Sequence, residues 1–567
     1  MRRIFSTTAA ALVTLLPAIT GCGRKTTAAP GVKMPGAACP WITQQAEHCG
    51  TNAAVMGPSV EYLKPESEAS GRSYVSLRKQ GDYLEFKATK AANAIVIRVS
   101  IPDAPTGGGT DATLSLDING KFARKLDLTS RYSWIYGDFP WSNDPSKGKA
   151  HYFFDESRAL IPDVSPGDTI RLRVGENDKA AFYHVDLIEL EQAPPPLARP
   201  ADSLCLTEFG AKPGDTADAS GALVRCIEAA KAQRKSVWIP VGVFRLDGAR
   251  IKAGGLRVTG AGIWHTTLTG KTCMFEGTGE AVEFADLAIS GEVDRRVDEL
   301  PENAFDGNFG KGSVFRNLWI EHLKCAFWTR HGTSHMRVER CRIRNVMADA
   351  LNYCDGTSDS VVEQCHIRNT GDDALATWSP SGDWSSKTLC QRNRFINNTI
   401  ESPWLANCIA IYGGADHEVA GNLLSGTVFS GGGVLVSSGF DALPFAGSIK
   451  IENNTIRDAG GDCYIGEPVG ALWIHAKQSD IGATVTISNL RIEGGPESGI
   501  TLHGPKAVRH LKLSDVHISG VAKHGIDVRT DVSGTLSASG LHITGSGLEP
   551  VRNANSGIFL IKGINDR

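Results

Sequence analysis

Two hydrophobic periodicities divide the chain. From about residue 52 to residue 192, apolar and polar positions alternate in short runs punctuated by turn residues. Examples are Gly81-Asp82-Tyr83-Leu84-Glu85-Phe86, Ala94-Ile95-Val96-Ile97-Arg98-Val99, Thr113-Leu114-Ser115-Leu116 and Thr169-Ile170-Arg171-Leu172-Arg173-Val174. A period of two places alternate side chains on opposite faces of a strand, so this stretch predicts a β-sandwich (jelly-roll) module over 52–192. The pattern closes with Phe182-Tyr183-His184-Val185-Asp186-Leu187-Ile188-Glu189-Leu190. Pro194-Pro195-Pro196 then makes residues 193–203 a stiff linker. Beyond it, Ala219, Ala222, Leu223, Cys226, Ile227 and Ala230 fall on one stripe of period 3.6, which predicts a short helix, and a strand from Ser236 to Pro240 follows at once.

The remainder repeats. Val338-Glu339-Arg340-Cys341-Arg342-Ile343-Arg344-Asn345 returns 24 residues later as Val362-Glu363-Gln364-Cys365-His366-Ile367-Arg368-Asn369. A second register recurs with it: Ala326-Phe327-Trp328, Ala350-Leu351-Asn352, Ala374-Leu375-Ala376, Ile409-Ala410-Ile411, Val434-Leu435-Val436 and onward to Ile558-Phe559-Leu560. Two registers kept in step predict an all-β solenoid over 204–567, each coil adding one strand to each of two parallel sheets. Phe209-Gly210-Ala211-Lys212 with Val237-Trp238-Ile239-Pro240 resembles the amino-terminal cap of pectate-lyase-like, right-handed parallel β-helices. Asn345, Asn369, Asn397 and Asn453 or Asn454 recur near the first strand, where stacked amides would satisfy turn backbone.

Composition narrows the class. The chain has 567 residues, 62 of them glycine, and a formal charge of −3, which fits a turn-rich β protein and gives no electrostatic grip on nucleic acid. Arg2 and Arg3, an apolar run from Ala9 to Ile19 and small residues before Cys22 read as an export signal over 1–21. Leu16-Pro17-Ala18-Ile19-Thr20-Gly21-Cys22 resembles the lipobox of bacterial lipoproteins. That implies lipidation of Cys22, attachment to an outer membrane or cell surface through lipid alone, and a flexible tether over 22–51. Lipidation would leave twelve of the thirteen cysteines in a compartment that permits disulfides, with Cys39 and Cys49 as the first local pair. Cys341 and Cys365 would stack as buried thiols or bridge two coils. No cysteine–histidine cluster has zinc spacing, so no metal is assigned.

The chemistry sits immediately before the second repeated strand. Most coils place a small residue there, among them Cys325, Cys408, Gly433 and Ala471, but two consecutive coils place Asp349 and Asp373, and Asp372 adds a third carboxylate. Equivalent positions lie about 4.8 Å apart along a solenoid. Like charges so close raise at least one pKa and couple their titrations. Glycoside hydrolysis uses that condition, with one carboxylic acid kept protonated for the leaving oxygen and one carboxylate for water.

At these residues a resemblance becomes specific. Ala348-Asp349-Ala350-Leu351-Asn352, Ile367-Arg368-Asn369-Thr370-Gly371-Asp372-Asp373-Ala374-Leu375-Ala376-Thr377-Trp378 and Ser402-Pro403-Trp404-Leu405-Ala406-Asn407-Cys408-Ile409-Ala410-Ile411-Tyr412 resemble the catalytic region of glycoside hydrolase family 87, the α-1,3-glucanases and mycodextranases. Ala350 stands where that family commonly has glycine. The resemblance implies a cofactor-free, inverting hydrolase, working as a monomer on a neutral α-glucan, with Asp349, Asp372 and Asp373 as its catalytic set. Asp372 is assigned the acid and Asp349 with Asp373 the water-activating pair, with exchange of Asp372 and Asp373 left open. Trp378, Trp404 and Tyr412 are expected to stack on sugar, and Asn352 and Asn407 to bond its hydroxyls. His331 and His335, one coil earlier, read as solvated loop residues. The alternating module resembles carbohydrate-binding modules of family 35, with Tyr132, Trp134, Tyr136 and Trp141 as sugar-facing candidates. A structural calcium there stays open, with no ligand nominated. Two other readings remain: a uronan-cleaving β-helix enzyme, for which no Arg-x-Lys pair follows the aspartates, and a non-enzymatic carbohydrate-binding solenoid.

Overall fold

A computed structural model describes residues 35–247, 250–271, 273–428, 430–462 and 466–563. The export signal and Cys22 lie outside the described residues.

Alternation in the first part of the chain produces two antiparallel sheets. One runs in the order Asp155–Val164, Ala92–Ser100, Tyr183–Glu191, Tyr74–Leu77, Ala54–Met56, with Ile42–Gln45 also paired to Tyr183–Glu191. The other runs Gly50–Thr51, Tyr83–Lys87, Thr169–Arg173, Asp111–Ile118, Lys121–Thr129. Their inward residues, including Leu84, Ile95, Ile97, Leu114, Leu116, Ile170, Leu172, Val185 and Ile188, form one apolar cluster. The tether expected over 22–51 is therefore too long. Ile42, Thr43, Gln44 and Gln45 pair with Leu190, Glu189, Ile188 and Leu187, a partner about 145 residues away that no local pattern announces. The stretch over 193–203 is also tied down, since Ala193 N bonds Asn93 Oδ1 and Leu197 N bonds Ala261 O.

All nine residues of Tyr183–Glu191 are buried, although four of them, His184, Asp186, Glu189 and Glu191, are polar. Their polar face meets the solenoid instead of water. Glu156 bridges Arg344 and Arg368, Glu189 meets Arg368 at 2.6 Å, and Glu191 meets Arg342 at 2.8 Å. Asp155 receives His322 and the Asn345 amide, both at 2.9 Å. Burial pushes the Glu156 carboxyl up, but Arg344 and Arg368 outweigh it and hold the group at about 2. Breaking one partner of such a buried pair costs about 3–5 kcal/mol, because it strands the other charge.

The repeats form a parallel β-helix of two long sheets, with 21 and 12 strands. In the smaller sheet Phe327, Leu351, Leu375, Ile409, Val434, Leu472, Ile500 and Ile526 stand in register, as the second repeat predicts, but its last member does not: Val551 takes the next place, and Phe559–Lys562 pairs with Ser533–Thr544 in the larger sheet instead. The helix Ser220–Gln233 closes one end by burying Ala222, Leu223, Cys226, Ile227 and Ala230, the expected stripe. Asn345, Asn369, Asn397 and Asn453 take positive φ between 41° and 64° at the corners, a conformation asparagine tolerates. The amide ladder itself is mostly their neighbours': Asn398 bonds Asn422 and Asn422 bonds Asn454, although Asn369 also donates to Asn345 at 2.9 Å.

The eleven described cysteines are all free thiols, so the expected Cys39–Cys49 bridge is not formed. Cys341 and Cys365 stack as buried thiols, with Cys341 N directed at Cys365 Sγ at 3.4 Å.

Candidate active site

Register delivers two of the carboxylates and a bend delivers the third. Asp349 and Asp373 each precede a strand of the smaller sheet, Leu351–Cys354 and Leu375–Trp378, whose first residues pair one coil apart. Alternation would send Asp372 to the opposite face from Asp373. The chain bends at Gly371 and Asp372 instead, where Thr370 Oγ1 donates to Asp372 O at 2.8 Å and Asp373 N donates to Asp372 Oδ1 at 3.1 Å. Gly371 is required at this corner. A Cβ there would stand 2.3 Å from Met347 O and 2.5 Å from Trp404 Cζ2. As a result, each of the three aspartates brings one carboxylate oxygen into a group spanning no more than 4.8 Å.

Each carboxylate has its own partners. Asp349 Oδ2 accepts from Asn352 Nδ2 at 2.8 Å. Asp373 Oδ1 accepts from the backbone N and the side-chain Nδ2 of Asn407, at 3.0 and 2.8 Å, and its Oδ2 accepts from Tyr412 OH at 2.7 Å. Asn407 is itself fixed by Gly432 N on its Oδ1 at 2.8 Å. Asp372, with 26% of its side chain exposed, is paired through Oδ2 with Arg296 Nη1 at 2.6 Å.

Burial, then the charge of Asp372, push the Asp373 carboxyl up to about 7, with Tyr412 and Asn407 opposing. Asp349 is pushed well above the carboxylate range by burial and then by Asp372 and Asp373. Two buried carboxyls that hold protons near neutrality, beside an ion-paired third, supply both acid and base forms at one pH. The same three oxygens are close enough to share a hard cation, but Arg296 already sits on Asp372.

The structure brings together most of the site residues expected from sequence. Asn352 and Asn407 are at the carboxylates, each engaged with its aspartate; Asn352 Oδ1 has no partner among the described protein groups. Tyr412 touches Asp373, and Trp378 stands one strand from Tyr412 in the same row with its Nε1 on Phe440 O at 3.0 Å. Trp404 is the exception. It is 1% exposed, stacked on Phe153 at 5.2 Å and edge-on to Trp141 and His151, so neither face is open to a sugar, and its ring supports the Gly371 corner. His331 and His335 are exposed loop residues. Of the aromatic candidates in the first unit, the two antiparallel sheets between Ile42 and Glu191, Tyr132 is stacked on His322 at 3.8 Å and Trp134 on Tyr152 at 4.2 Å. Tyr136 is buried, and Trp141 packs on Trp404.

Sequence reasoning missed two residues. Arg296 lies in a long insertion between coils, where no register applies. Trp384, 55% exposed, tilts against Trp378 at 5.4 Å and extends an aromatic path that begins at Trp328. Its exposed position on an insertion of Ser, Gly and Asp was the available signal.

A parallel β-helix that presents crowded carboxyls beside a row of aromatic rings ending in the exposed Trp384 has the groups that glycosidic-bond hydrolysis uses. Residues 39–193 match the family model for α-1,3-glucanase catalytic domain D1, and residues 220–566 the model for domain D2. The chain is 30% identical to the catalytic unit of a thermostable GH87 α-1,3-glucanase from Streptomyces thermodiastaticus strain HF3-3. That match has a TM-score of 0.83 and covers 93% of this chain and 96% of the other. It is 26% identical to the Agl-KA catalytic domain, with a TM-score of 0.80 over 93% and 98%. A GH87 α-1,3-glucanase catalytic domain solved with nigerose shares the fold, at 24% identity and a TM-score of 0.79 over 94% and 99%. No curated protein matches in sequence. The chain belongs to the α-1,3-glucanases of glycoside hydrolase family 87. It is a glycoside hydrolase, and the non-enzymatic solenoid reading is set aside. The first unit, which resembles a carbohydrate-binding module in sequence, matches a catalytic-domain segment.

Proposed function

We propose that the protein is an exported, monomeric hydrolase of neutral α-glucan, cleaving α-1,3-glucosidic bonds with Asp349, Asp372 and Asp373 and held to an outer membrane or cell surface by lipid on Cys22. The observation that carries the catalytic part is the group of three carboxylate oxygens within 4.8 Å, joined to family membership. The nigerose bound in a relative supports an α-1,3-linked ligand. The localisation rests on the lipobox resemblance alone.

The division of labour is the one the family resemblance implies, with Asp349 and Asp373 as the pair that positions and deprotonates the attacking water and Asp372, the most exposed of the three, as the acid. The contacts favour the exchange of Asp372 and Asp373, since burial and the charge of Asp372 raise the Asp373 carboxyl while Arg296 pairs with Asp372. Trp378, Trp384 and Tyr412 provide ring faces and edges for glucose units, and Asn352 Oδ1 accepts from a sugar hydroxyl. Sugar binding by the first unit stays a separate proposal, supported by the sequence resemblance and weakened by the packing of its aromatic rings.

Inversion is the proposed outcome. One observation favours a second reading: the nearest carboxylate oxygens are closer than the about 6.5–9.5 Å between acid and base in inverting enzymes, and nearer the about 5–5.5 Å of retaining ones. Proton NMR of a fresh digest separates the two, because inversion releases the β-anomer first and retention the α-anomer. Linkage is tested by reducing-sugar release from α-1,3-glucan, nigeran, dextran and polygalacturonate. Release confined to polymers with α-1,3 links is expected. Release from polygalacturonate would move the protein to the uronan-cleaving reading.

A further inference from the structure

The cation at the carboxylate trio comes from neither coil that carries the aspartates. Arg296 belongs to the insertion between the strands Val282–Gly291 and Phe305–Asn308. Lys324 Nζ fastens that insertion by donating to the carbonyls of Val297, Asp298 and Leu300 at 3.3, 2.7 and 2.6 Å. From the first unit, Arg131 lies 3.8 Å from Asp294 of the same insertion. The Arg296 guanidinium is held on three sides: Nη1 on Asp372 Oδ2 at 2.6 Å, Nε on Asp298 Oδ1 at 2.8 Å, and its plane 5.3 Å from the ring centroid of Phe139. Phe139 is 57% exposed and sits edge-on to Trp141, which meets Trp404 beneath the Gly371 corner. A planar fork with two acceptors and an aromatic face has little orientational freedom left.

We propose that Arg296 is a positioning residue for hydrolysis, fixing the Asp372 carboxylate and offsetting part of the charge of the trio, and that Phe139 of the first unit holds it in place. The proposal rests on the glycosidase reading of the trio and gives the first unit a part in this chain's site, since it supplies the ring that seats the cation. The charged and titratable groups facing Asp372 are Arg296, Asp349, Asp373 and Tyr412. Beside Arg296 stand Asp298 and, further off, Cys325, which in turn faces Lys324 and Asp306. Burial, then Asp372 and Asp373, raise Asp349, and Arg296 opposes them. Removing the cation therefore strengthens proton binding at Asp349. A nearby opposite charge moves a carboxyl by about 1–3 pH units, and the lower end of that general range sets the limb displacement the assay looks for.

The test uses the full chain with an α-1,3-linked glucose oligosaccharide, measuring kcat and KM from pH 4 to 9 for Arg296→Gln, Arg296→Lys and Phe139→Ala. Arg296→Gln is expected to lose about 100-fold in kcat with KM within about threefold, and to move the acidic limb of kcat/KM up by about one pH unit. Arg296→Lys keeps the charge, so its limb stays in place while kcat falls about tenfold for want of the fork. Phe139→Ala, at an exposed site that folding tolerates, lowers kcat about three- to tenfold with KM held. A raised KM with unchanged kcat would make Arg296 a substrate-binding group and overturn the proposal. So would a wild-type limb in Arg296→Gln. An inactive wild type would instead defeat the glucanase reading. In that case urea unfolding still reads the charge offset, since the stability of Arg296→Gln should fall away from wild type as pH rises from 4 to 8, and a constant gap overturns it.

Discussion

Asp373→Asn should abolish hydrolysis and make the folded protein more stable in alkali. The Asp373 carboxyl is raised from 3.8 to about 7, first by burial and then by the charge of Asp372. Because the folded pKa lies above the unfolded one, the folded state binds more protons between pH ~4 and ~7. Stability contributed by this group is therefore fully present below about pH 4 and lost as pH rises through about 7. A shift of about three units at about 1.4 kcal/mol each makes ionised Asp373 cost about 4 kcal/mol at pH 8. Asparagine carries no such penalty. It keeps the acceptor for Asn407 but obliges Tyr412 OH to accept instead of donate, a loss of about 1 kcal/mol. The net expectation is a gain of about 2–3 kcal/mol at pH 8 and a loss of about 1 kcal/mol at pH 4. Urea titration of wild type and variant at pH 4, 6 and 8 gives the three differences. A variant no more stable than wild type at pH 8, or a difference that does not change sign with pH, would refute the claim that the site stores electrostatic strain.

Three further predictions follow from named contacts. Tyr412→Phe removes the O–H donor at 2.7 Å from Asp373, a bond to a charged group worth about 1.5–3 kcal/mol, so the acidic limb of the pH–rate profile should move up by about 1–2 units while the fold survives. Trp404→Ala removes a buried ring that joins Phe153, Trp141 and the Gly371 corner, and should cost about 3–5 kcal/mol in unfolding free energy and lower kcat through Asp372; loss of substrate affinity alone would contradict its buried placement. Trp384→Ala, at an exposed ring beside Trp378, should raise KM about fivefold, about 1 kcal/mol of stacking, and leave kcat within twofold.

What the sequence made legible is what repeats. A solenoid turns spacing into distance, so the repeat alone places Asp349 and Asp373 one coil apart, and the cap helix announces itself by its apolar stripe. Asp372 needed more than periodicity, because its direction depends on a bend that only Gly371 can make against Trp404. Trp404 itself was misread for a reason of range. A tryptophan after Ser402-Pro403 looks the same as a sugar platform or as a wedge, and the rings that cover it, Phe153 and Trp141, are more than 240 residues away. Range also hid the pairing of Ile42–Gln45 with Tyr183–Glu191, and with it the end of the tether. Arg296 lies in an insertion, where neither repeat assigns a direction. The polar face of the first unit reads in sequence as a solvated surface, and only the arginines at 342, 344 and 368 that meet it reveal an interface.

The most direct test of the central claim is hydrolysis of α-1,3-glucan by the protein beside Asp349→Asn, Asp372→Asn and Asp373→Asn, each first shown to be folded. Reducing ends should accumulate with wild type and fall at least a thousandfold with every one of the three variants. Any folded variant that keeps more than about a tenth of wild-type activity would contradict a mechanism that needs all three carboxylates.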